Sequence, residues 1–278
     1  MTLVGYVRTC YGLRPVEESL GDIDSYWQWH ELSKSRASEG QGPMGLDGIF
    51  IDEVDCEGEQ LEYFGALAIH VKTQAWRAAN SGICASVPSS LAGFVVLNPG
   101  CAPRHEGYYN IADLVIVFEH FTHNFVNPPF NDPAFAYLAE GSPDGGMTLM
   151  LPKVSSSIPK SKLAVMVHDF YPNLPPGERI QALDAMIADL VDRKRMGAVF
   201  FTDVQIAKED IYANWSSFWA EVVDAVVNAN RNARNTQSAG VVSEFLHGRG
   251  GWFAVAALAG VCTGVAAFYF KWRTPLHS

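Results

Sequence analysis

The chain has 278 residues, which is enough for one large domain with a substantial hydrophobic core. Hydrophobic residues make up 48% of it and charged residues 18%, a composition that excludes a largely disordered protein. With 30 acidic and 20 basic residues, the formal charge is −10. The sequence contains no run of Lys and Arg that could form the basic stripe with which proteins bind a phosphate backbone. Nucleic acid is therefore not expected as a partner.

Short apolar runs alternate with helix-like stretches along most of the chain. The runs that predict strands are residues 4–9, 48–53, 93–99, 114–121, 163–170 and 197–204. The stretches that predict helices are residues 22–35, 60–80, 133–140, 177–196 and 211–233. The strand runs are nearly continuous in Val, Ile, Leu or Phe, so this alternation predicts a parallel sheet covered by helices. Residues 33–43 and 127–162 are predicted to be long surface loops.

Polar residues come at the C-terminal end of each predicted strand, as with Asp52, Asn98 and His168. This edge carries the functional residues both in a (β/α) barrel and in a doubly wound sheet. The turn after the first strand reads TCYGLRP and lacks the GxGxxG spacing of a phosphate-binding loop. The sequence therefore favours an α/β fold of the (β/α) TIM-barrel type over a doubly wound sheet.

A long apolar segment lies near the C-terminus, where residues 252–270 (WFAVAALAGVCTGVAAFYF) carry no charge. As a helix it would be about 28 Å long, close to the thickness of the hydrocarbon core of a bilayer, with aromatic residues at both ends. We therefore predict a C-terminal transmembrane helix, with a buried Ala-rich helix as the alternative. Lys271 and Arg273 favour a cytosolic tail, which would place the main domain on the extracellular side.

Four segments carry a resemblance to a known family: GYVRTCYGLRPVEESLGDIDSYWQWH, LDGIFIDEV, FVVLNPGCAP and LVIVFEHF, in this order. From about residue 4 to residue 219 the chain resembles the spherulin-4-like family (spherulation-specific family 4, glycoside hydrolase family 135). The resemblance implies a (β/α)8 barrel whose first two β/α units have no counterpart here, so we expect an upstream exon with a signal peptide and two strands, or a truncated paralogue. The expected domains are an incomplete barrel (1–235), a linker (236–251), the membrane helix (252–270) and a basic tail (271–278).

Three carboxylic acids lie at the ends of two predicted strands: Asp52, Glu53 and Glu119. Glycosidic cleavage needs one carboxyl group to protonate the leaving oxygen and a second to attack or stabilise the oxocarbenium-like centre. By resemblance these residues are the family's catalytic cluster, with Asp52 as nucleophile or stabiliser, Glu119 as acid/base and Glu53 as a tuning residue. Side chains alternate along a strand, so Asp52 and Glu53 both face the barrel axis only if the strand has ended. Helix capping and pairing with a cation are the structural alternatives.

Four further residues are candidates for binding the substrate: Tyr6, Asn98, His168 and Asp203. Tyr6 could offer an aromatic face to a sugar, and Asn98 could bind hydroxyl groups. His168 would line the pocket, and Asp203 would orient the substrate or close the floor of the pocket. Strand packing, turn formation and burial in the core are the structural interpretations of the first three.

No metal is expected, because the cysteines form no CxxC pair and the HxxH sequence at His120 does not lie on a predicted helix. The resemblance implies cleavage without any other cofactor. Cys10, Cys56 and Cys101 fall near the same ends of the predicted strands. A disulfide could form there, but the sequence does not choose a pair, and free thiols are the favoured interpretation.

The leading hypothesis from the resemblance is an endo-acting glycoside hydrolase that cleaves an α-1,4-linked exopolysaccharide of N-acetylgalactosamine and galactosamine, with retention of configuration. The alternatives are a non-catalytic glycan-binding surface or spore-coat protein, an inactive truncated paralogue, and an unrelated barrel hydrolase. We expect a single-pass membrane protein with an extracellular catalytic domain and a polysaccharide partner. A C-terminal span without a signal peptide would instead leave that domain in the cytosol.

Overall fold

The structure, a computed structural model, describes residues 2–36, 46–74, 76, 93–121, 137–139, 150–205, 216–240, 255–259 and 266–270. Its strands are β1 (Thr2–Arg8), β2 (Gly48–Asp52), β3 (Phe94–Asn98), β4 (Leu114–Phe121), β5 (Tyr137–Ala139), β6 (Met150–Pro152), β7 (Leu163–His168), β8 (Ala198–Phe201), β9 (Val255–Ala259) and β10 (Ala266–Phe270). Its α-helices are α1 (Val16–Arg36), α2 (Leu61–Thr73), α3 (Gly107–Ile111), α4 (Pro176–Ala188) and α5 (Trp219–Gly240).

The main sheet has the strand order β8-β7-β4-β3-β2-β1-β10-β9. The six strands from β8 to β1 pair in parallel, and these are the six runs that the sequence predicts as strands. An α/β fold with a parallel sheet is therefore confirmed. The sheet is curled into a half-barrel, which is consistent with a TIM-like fold.

The two faces of the parallel sheet bury separate sets of apolar side chains. The outer face packs with the helices and contributes Ile49, Ile51, Val95 and Leu97, among others, to the larger core. The inner face carries its own apolar layer, formed by Val4, Phe50, Val96, Leu114, Ile116, Ala164, Met166, Ala198 and Phe200. Because both faces are covered, the strands read as continuous apolar runs rather than as alternating ones.

Register brings the polar ends of the strands together. Arg8 on β1 lies opposite Asp52 on β2, which in turn lies opposite Asn98 on β3. Parallel pairing places these C-terminal ends at one edge of the sheet, beyond the apolar inner layer. We call this edge the carboxyl edge.

A β-bulge in β4 decides which of its residues reach the inner face. Ile116 pairs with Ala164, but the next pair is Phe118 with Val165, so β4 carries one extra residue. Without the bulge, alternation from Ile116 would place Phe118 on the inner face. With it, Phe118 joins the outer core and Glu119 takes the position opposite Met166, an inner-layer residue.

Helix boundaries follow local signals that the apolar pattern alone does not give. The helix predicted at residues 22–35 begins earlier, at Val16, directly after Pro15 and with Glu17 and Glu18 in its first turn. Proline is favoured at helix starts, and carboxylates there oppose the positive end of the helix dipole. The helix predicted at residues 133–140 is wrong where described, because residues 137–139 form β5, which pairs antiparallel with β6.

The predicted transmembrane helix at residues 252–270 is not found, because the described residues of this segment form strands. β10 pairs antiparallel with β1, and β9 pairs antiparallel with β10. Apolar runs do not by themselves distinguish a helix from a strand, and β1 offers an edge whose backbone groups a further strand can pair. Among the residues that the structure describes, no helix is long and apolar enough to cross a membrane.

Candidate active site

Asn98, the last residue of β3, bridges two carboxylates at the carboxyl edge. Its Nδ2 donates hydrogen bonds to Oδ1 of Asp52 at 2.8 Å and to Oε2 of Glu119 at 2.6 Å. Its own Oδ1 accepts a hydrogen bond from the backbone N–H of Gly100 at 3.0 Å. This third bond fixes the orientation of the amide, so both hydrogens of its NH₂ group point at the carboxylates. Asn98 is 4% exposed, and burial strengthens the arrangement electrostatically.

Gly100 supports the bridge from the turn that follows β3. Besides donating to Asn98, it accepts a hydrogen bond from the backbone N–H of Glu119 at 3.1 Å through its carbonyl oxygen. Its φ of 67° lies in the left-handed region, which glycine adopts without steric cost. The sequence analysis singled out Asn98 in this turn and missed Gly100, although the Asn-Pro-Gly triplet was a usable signal.

Asp52 receives a hydrogen bond on each carboxylate oxygen. Tyr6 donates from its hydroxyl group to Oδ2 at 2.5 Å, and Asn98 binds Oδ1. Burial raises the pKa of Asp52 above its usual value, although the hydrogen bonds from Tyr6 and Asn98 stabilise the anion and act in the opposite direction. The pKa of Tyr6 is raised as well, first by burial and then by the nearby charge of Asp52. Both groups are therefore partly desolvated, as catalytic groups often are.

Glu53 follows Asp52 in the chain, but a different side chain binds its carboxylate. β2 ends at Asp52, and Glu53 has a φ of 55°, so the alternation of the strand no longer governs its direction. Its Oε1 accepts a hydrogen bond from Nε of Arg8 at 2.9 Å, and the Arg8 side chain is 63% exposed. The hydroxyl of Thr9 contacts the carbonyl oxygens of both Asp52 and Glu53, at 2.7 and 2.9 Å. The structure thus brings all three predicted acids to one edge, with Glu53 on its rim.

His168 ends β7 on the same face as Glu119. It lies two residues beyond Met166, an inner-layer residue, and is 5% exposed. Nδ1 of His168 is 2.7 Å from Oδ2 of Asp169, and its ring makes an edge contact with Phe121 at a centroid distance of 4.7 Å. The structure therefore brings His168 to the inner face near the site.

Asp203 binds parts of the fold rather than the other acids. Nη1 of Arg179 lies 3.2 Å from its Oδ2, while the hydroxyl of Ser216 and the backbone N–H of Ser217 donate to its Oδ1 at 3.2 and 2.9 Å. The Ser217 hydroxyl also donates to Oδ2. Burial alone would raise the pKa of Asp203, but the hydrogen bonds from Ser217 and Ser216 outweigh it and lower that pKa. Asp203 thus connects α4 with the segment that leads into α5.

A disulfide between Cys56 and Cys101 joins the turns that follow β2 and β3. Each turn carries part of the site, since Glu53 precedes Cys56 and Gly100 precedes Cys101. The sequence analysis recognised that these cysteines fall near one edge, but its preference for free thiols is wrong for this pair. Cys10 is a free cysteine.

Residues 1–226 match spherulation-specific family 4 over most of the chain. The chain belongs to this family. Spherulin-4 of Physarum polycephalum is 30% identical over 127 residues, which are 45% of this chain and 29% of that relative. The match therefore spans less than a third of the relative's length.

The fold of this family member is similar to the crystal structure of Aspergillus clavatus Sph3 in complex with GalNAc, with a TM-score of 0.54. The two sequences are 24% identical, and the match covers 80% of this chain and 71% of the other. At that identity the similarity shows the fold.

In the described ranges of this chain, no group of three or more His, Cys, Asp or Glu residues is placed to hold a metal ion.

The raised pKa of Asp52 predicts a pH-dependent cost to stability. An aspartate whose pKa is raised by folding binds its proton more tightly in the folded state than in the unfolded state. The protonated group therefore contributes to stability at low pH. This contribution is lost as the pH rises from the ordinary pKa of 3.8 through the pKa of the folded state. Asp52→Asn cannot lose that proton, and the Tyr6 hydroxyl can accept a hydrogen bond from the new amide. The melting temperature of the variant relative to the wild type should rise with pH across this window. A difference in melting temperature that is constant or falls with pH would contradict the raised pKa of Asp52. Asp184→Asn, at an exposed position, is the control.

The contacts of Asp203 predict a structural rather than a substrate-binding role. Asp203→Ala removes a partner of the largely buried Arg179 and should lower the free energy of unfolding by about 2–4 kcal/mol, measured by urea denaturation. Glycan affinity at a temperature where the variant is folded should be unchanged. Unaltered stability with weakened glycan binding would instead favour the substrate-orienting role. Asp224→Ala, an exposed position on α5, is the matched control.

Proposed function

We propose that the chain is a glycoside hydrolase whose catalytic groups are Asp52 and Glu119. The observation that carries this proposal is the pair of carboxylates held on one buried amide at the carboxyl edge of a parallel half-barrel. Binding the hydroxyl and acetamido groups of a sugar does not require two acids to be placed side by side, whereas glycosidic cleavage does. Like charges in close proximity also cost free energy, so their placement calls for a chemical use.

The geometry of the bridge favours retention of configuration. Oδ1 of Asp52 and Oε2 of Glu119 bind the same nitrogen, so these two oxygens lie no more than about 5.5 Å apart, which is the carboxyl separation of retaining glycosidases. Inverting enzymes need roughly 6.5–9.5 Å, because a water molecule must fit between the general base and the sugar. The Asn98 bridge leaves no such room between Asp52 and Glu119.

The hydrogen bonds support separate roles for the two acids. Tyr6 and Asn98 each donate to Asp52 and so stabilise its anion against the opposing effect of burial, while burial makes the carboxylate a stronger nucleophile by removing solvent. Glu119 would protonate the leaving glycosidic oxygen while Asp52 attacks the anomeric carbon. Glu119 would then take a proton from the water that releases the sugar from Asp52. Glu53, paired with Arg8, would tune these charges from the rim.

We propose an α-1,4-linked exopolysaccharide of N-acetylgalactosamine and galactosamine as the substrate, cleaved internally. Two findings support it: membership of spherulation-specific family 4, and the similarity in fold to a protein crystallised with GalNAc. An extracytoplasmic location is also proposed. It is supported by the Cys56–Cys101 disulfide, since disulfides persist in oxidising compartments.

Replacing Glu119 by Gln tests the proposal on the full chain. The variant keeps the shape of the side chain but has no proton to donate, so reducing-end release from an α-1,4-linked N-acetylgalactosamine and galactosamine polymer should fall by about 100-fold or more. Glu178→Gln, at an exposed position near the start of α4, is the matched control and should release sugar at the wild-type rate.

The assay also separates hydrolysis from binding alone. Thermal melts of all three proteins establish that they are folded. Wild-type protein that melts cooperatively and binds the polymer but releases no reducing ends would indicate a non-catalytic glycan-binding protein or an inactive paralogue. Equal release by the wild type and Glu119→Gln would show that Glu119 is not the acid/base.

A further inference from the structure

The loop after β1 holds three consecutive residues in the left-handed region. Cys10, Tyr11 and Gly12 have φ values of 51°, 57° and 80°. This conformation is easy for glycine but costs free energy for the other two residues, and such strain persists only where surrounding contacts enforce it. Strained residues of this kind are concentrated at functional sites.

Hydrogen bonds fix this loop to the carboxyl edge. The backbone N–H of Tyr11 donates to the carbonyl oxygen of Glu53 at 2.7 Å. The carbonyl oxygen of Thr9 accepts from the N–H groups of Gly12 and Arg14 at 3.1 and 3.2 Å. The loop backbone is therefore ordered before any ligand binds, and it is attached to one of the three acids of the site.

Tyr11 is nevertheless 57% exposed. Within the described residues no hydrogen bond holds its hydroxyl, so the ring contributes little to the core. Trp29 is similarly exposed at 50%, but it lies on the regular helix α1. Tyr11 thus combines backbone strain, a backbone fixed to that of Glu53 and a solvent-facing ring, and core packing explains none of these.

We propose that the Tyr11 ring is a stacking platform for a sugar unit of the polysaccharide next to the unit that is cleaved. This inference rests on the proposed function. The C–H face of a pyranose is apolar and packs well against an aromatic ring, while its hydroxyl groups stay in water. Tyrosine has few rotatable bonds, and its backbone is already fixed here, so little entropy is lost when the sugar binds. Tyr11 therefore adds affinity for a chain of sugars without taking part in bond cleavage.

The test measures polymer affinity in full-length Glu119→Gln protein, so that hydrolysis does not disturb the equilibrium. The probe is the α-1,4-linked N-acetylgalactosamine and galactosamine polymer, and affinity is measured by retardation in gels that contain it. Tyr11→Asn removes the ring but keeps a residue that tolerates positive φ, so the loop should keep its conformation. Its Kd should rise about tenfold, a change of about 1.4 kcal/mol. Tyr11→Phe keeps the ring and should bind like the parent, as should Trp29→Ala.

The outcomes separate this inference from the proposed function. Equal affinity in Tyr11→Asn and the parent would overturn the stacking platform, and so would the absence of any retardation of the parent. If wild-type protein binds the polymer but releases no reducing ends, the hydrolase proposal fails, while the Kd values still decide the role of Tyr11. Loss of affinity in Tyr11→Phe as well would show that the hydroxyl, not the ring face, makes the contact, which also overturns the inference.

Discussion

The amide of Asn98 determines the geometry of the site. An amide has one acceptor and two donors on a rigid plane, so once Gly100 binds the acceptor, the two donors face a fixed pair of directions. Asp52 and Glu119 occupy those directions. Two carboxylates would otherwise repel each other in a partly buried setting, and the shared NH₂ group offsets part of that repulsion.

Three features of the fold bring the partners of this amide into place. The register of β2 against β3 places Asp52 beside Asn98. The bulge in β4 transfers Glu119 to the inner face, and the Cys56–Cys101 disulfide joins the turns after β2 and β3. A shift by one residue in either strand pairing would turn a carboxylate away from the amide, because neighbouring side chains on a strand point to opposite faces.

Backbone strain is concentrated at the same edge. Among the described residues other than glycine, positive φ occurs at Cys10, Tyr11, Glu53, Asp169, Tyr171 and Arg195. All of these except Arg195 follow the C-terminal end of a parallel strand. Together with the raised pKa of Asp52, this indicates that the carboxyl edge is less stable than the apolar layers below it. Such a trade of stability for a preorganised site is common in enzymes.

The parallel strands and the acids at their ends could be predicted from the sequence, because apolar runs and their polar termini are local signals. Long-range pairing could not. The bulge that turns Glu119 inward depends on the register of β4 against β7, and the partner of Cys56 depends on how two turns meet. The substrate contact suggested for Asp203 by its position after β8 stays a prediction, and its contacts with Arg179, Ser216 and Ser217 could not be read from the sequence either. In the segment 252–270, composition alone could not distinguish a helix from the strands at residues 255–259 and 266–270.

The most direct test of the bridged pair is the anomeric configuration of the first product, followed by proton NMR in a mixture of the full chain and the α-1,4-linked polymer proposed as its substrate. Carboxylates held on one amide nitrogen are close enough for a covalent glycosyl intermediate and too close to admit water between a general base and the sugar. We expect the new reducing ends to appear first as the α-anomer and to mutarotate only later. Initial appearance of the β-anomer would show inversion, and it would contradict the assignment of Asp52 and Glu119 as a nucleophile and acid/base pair held by Asn98.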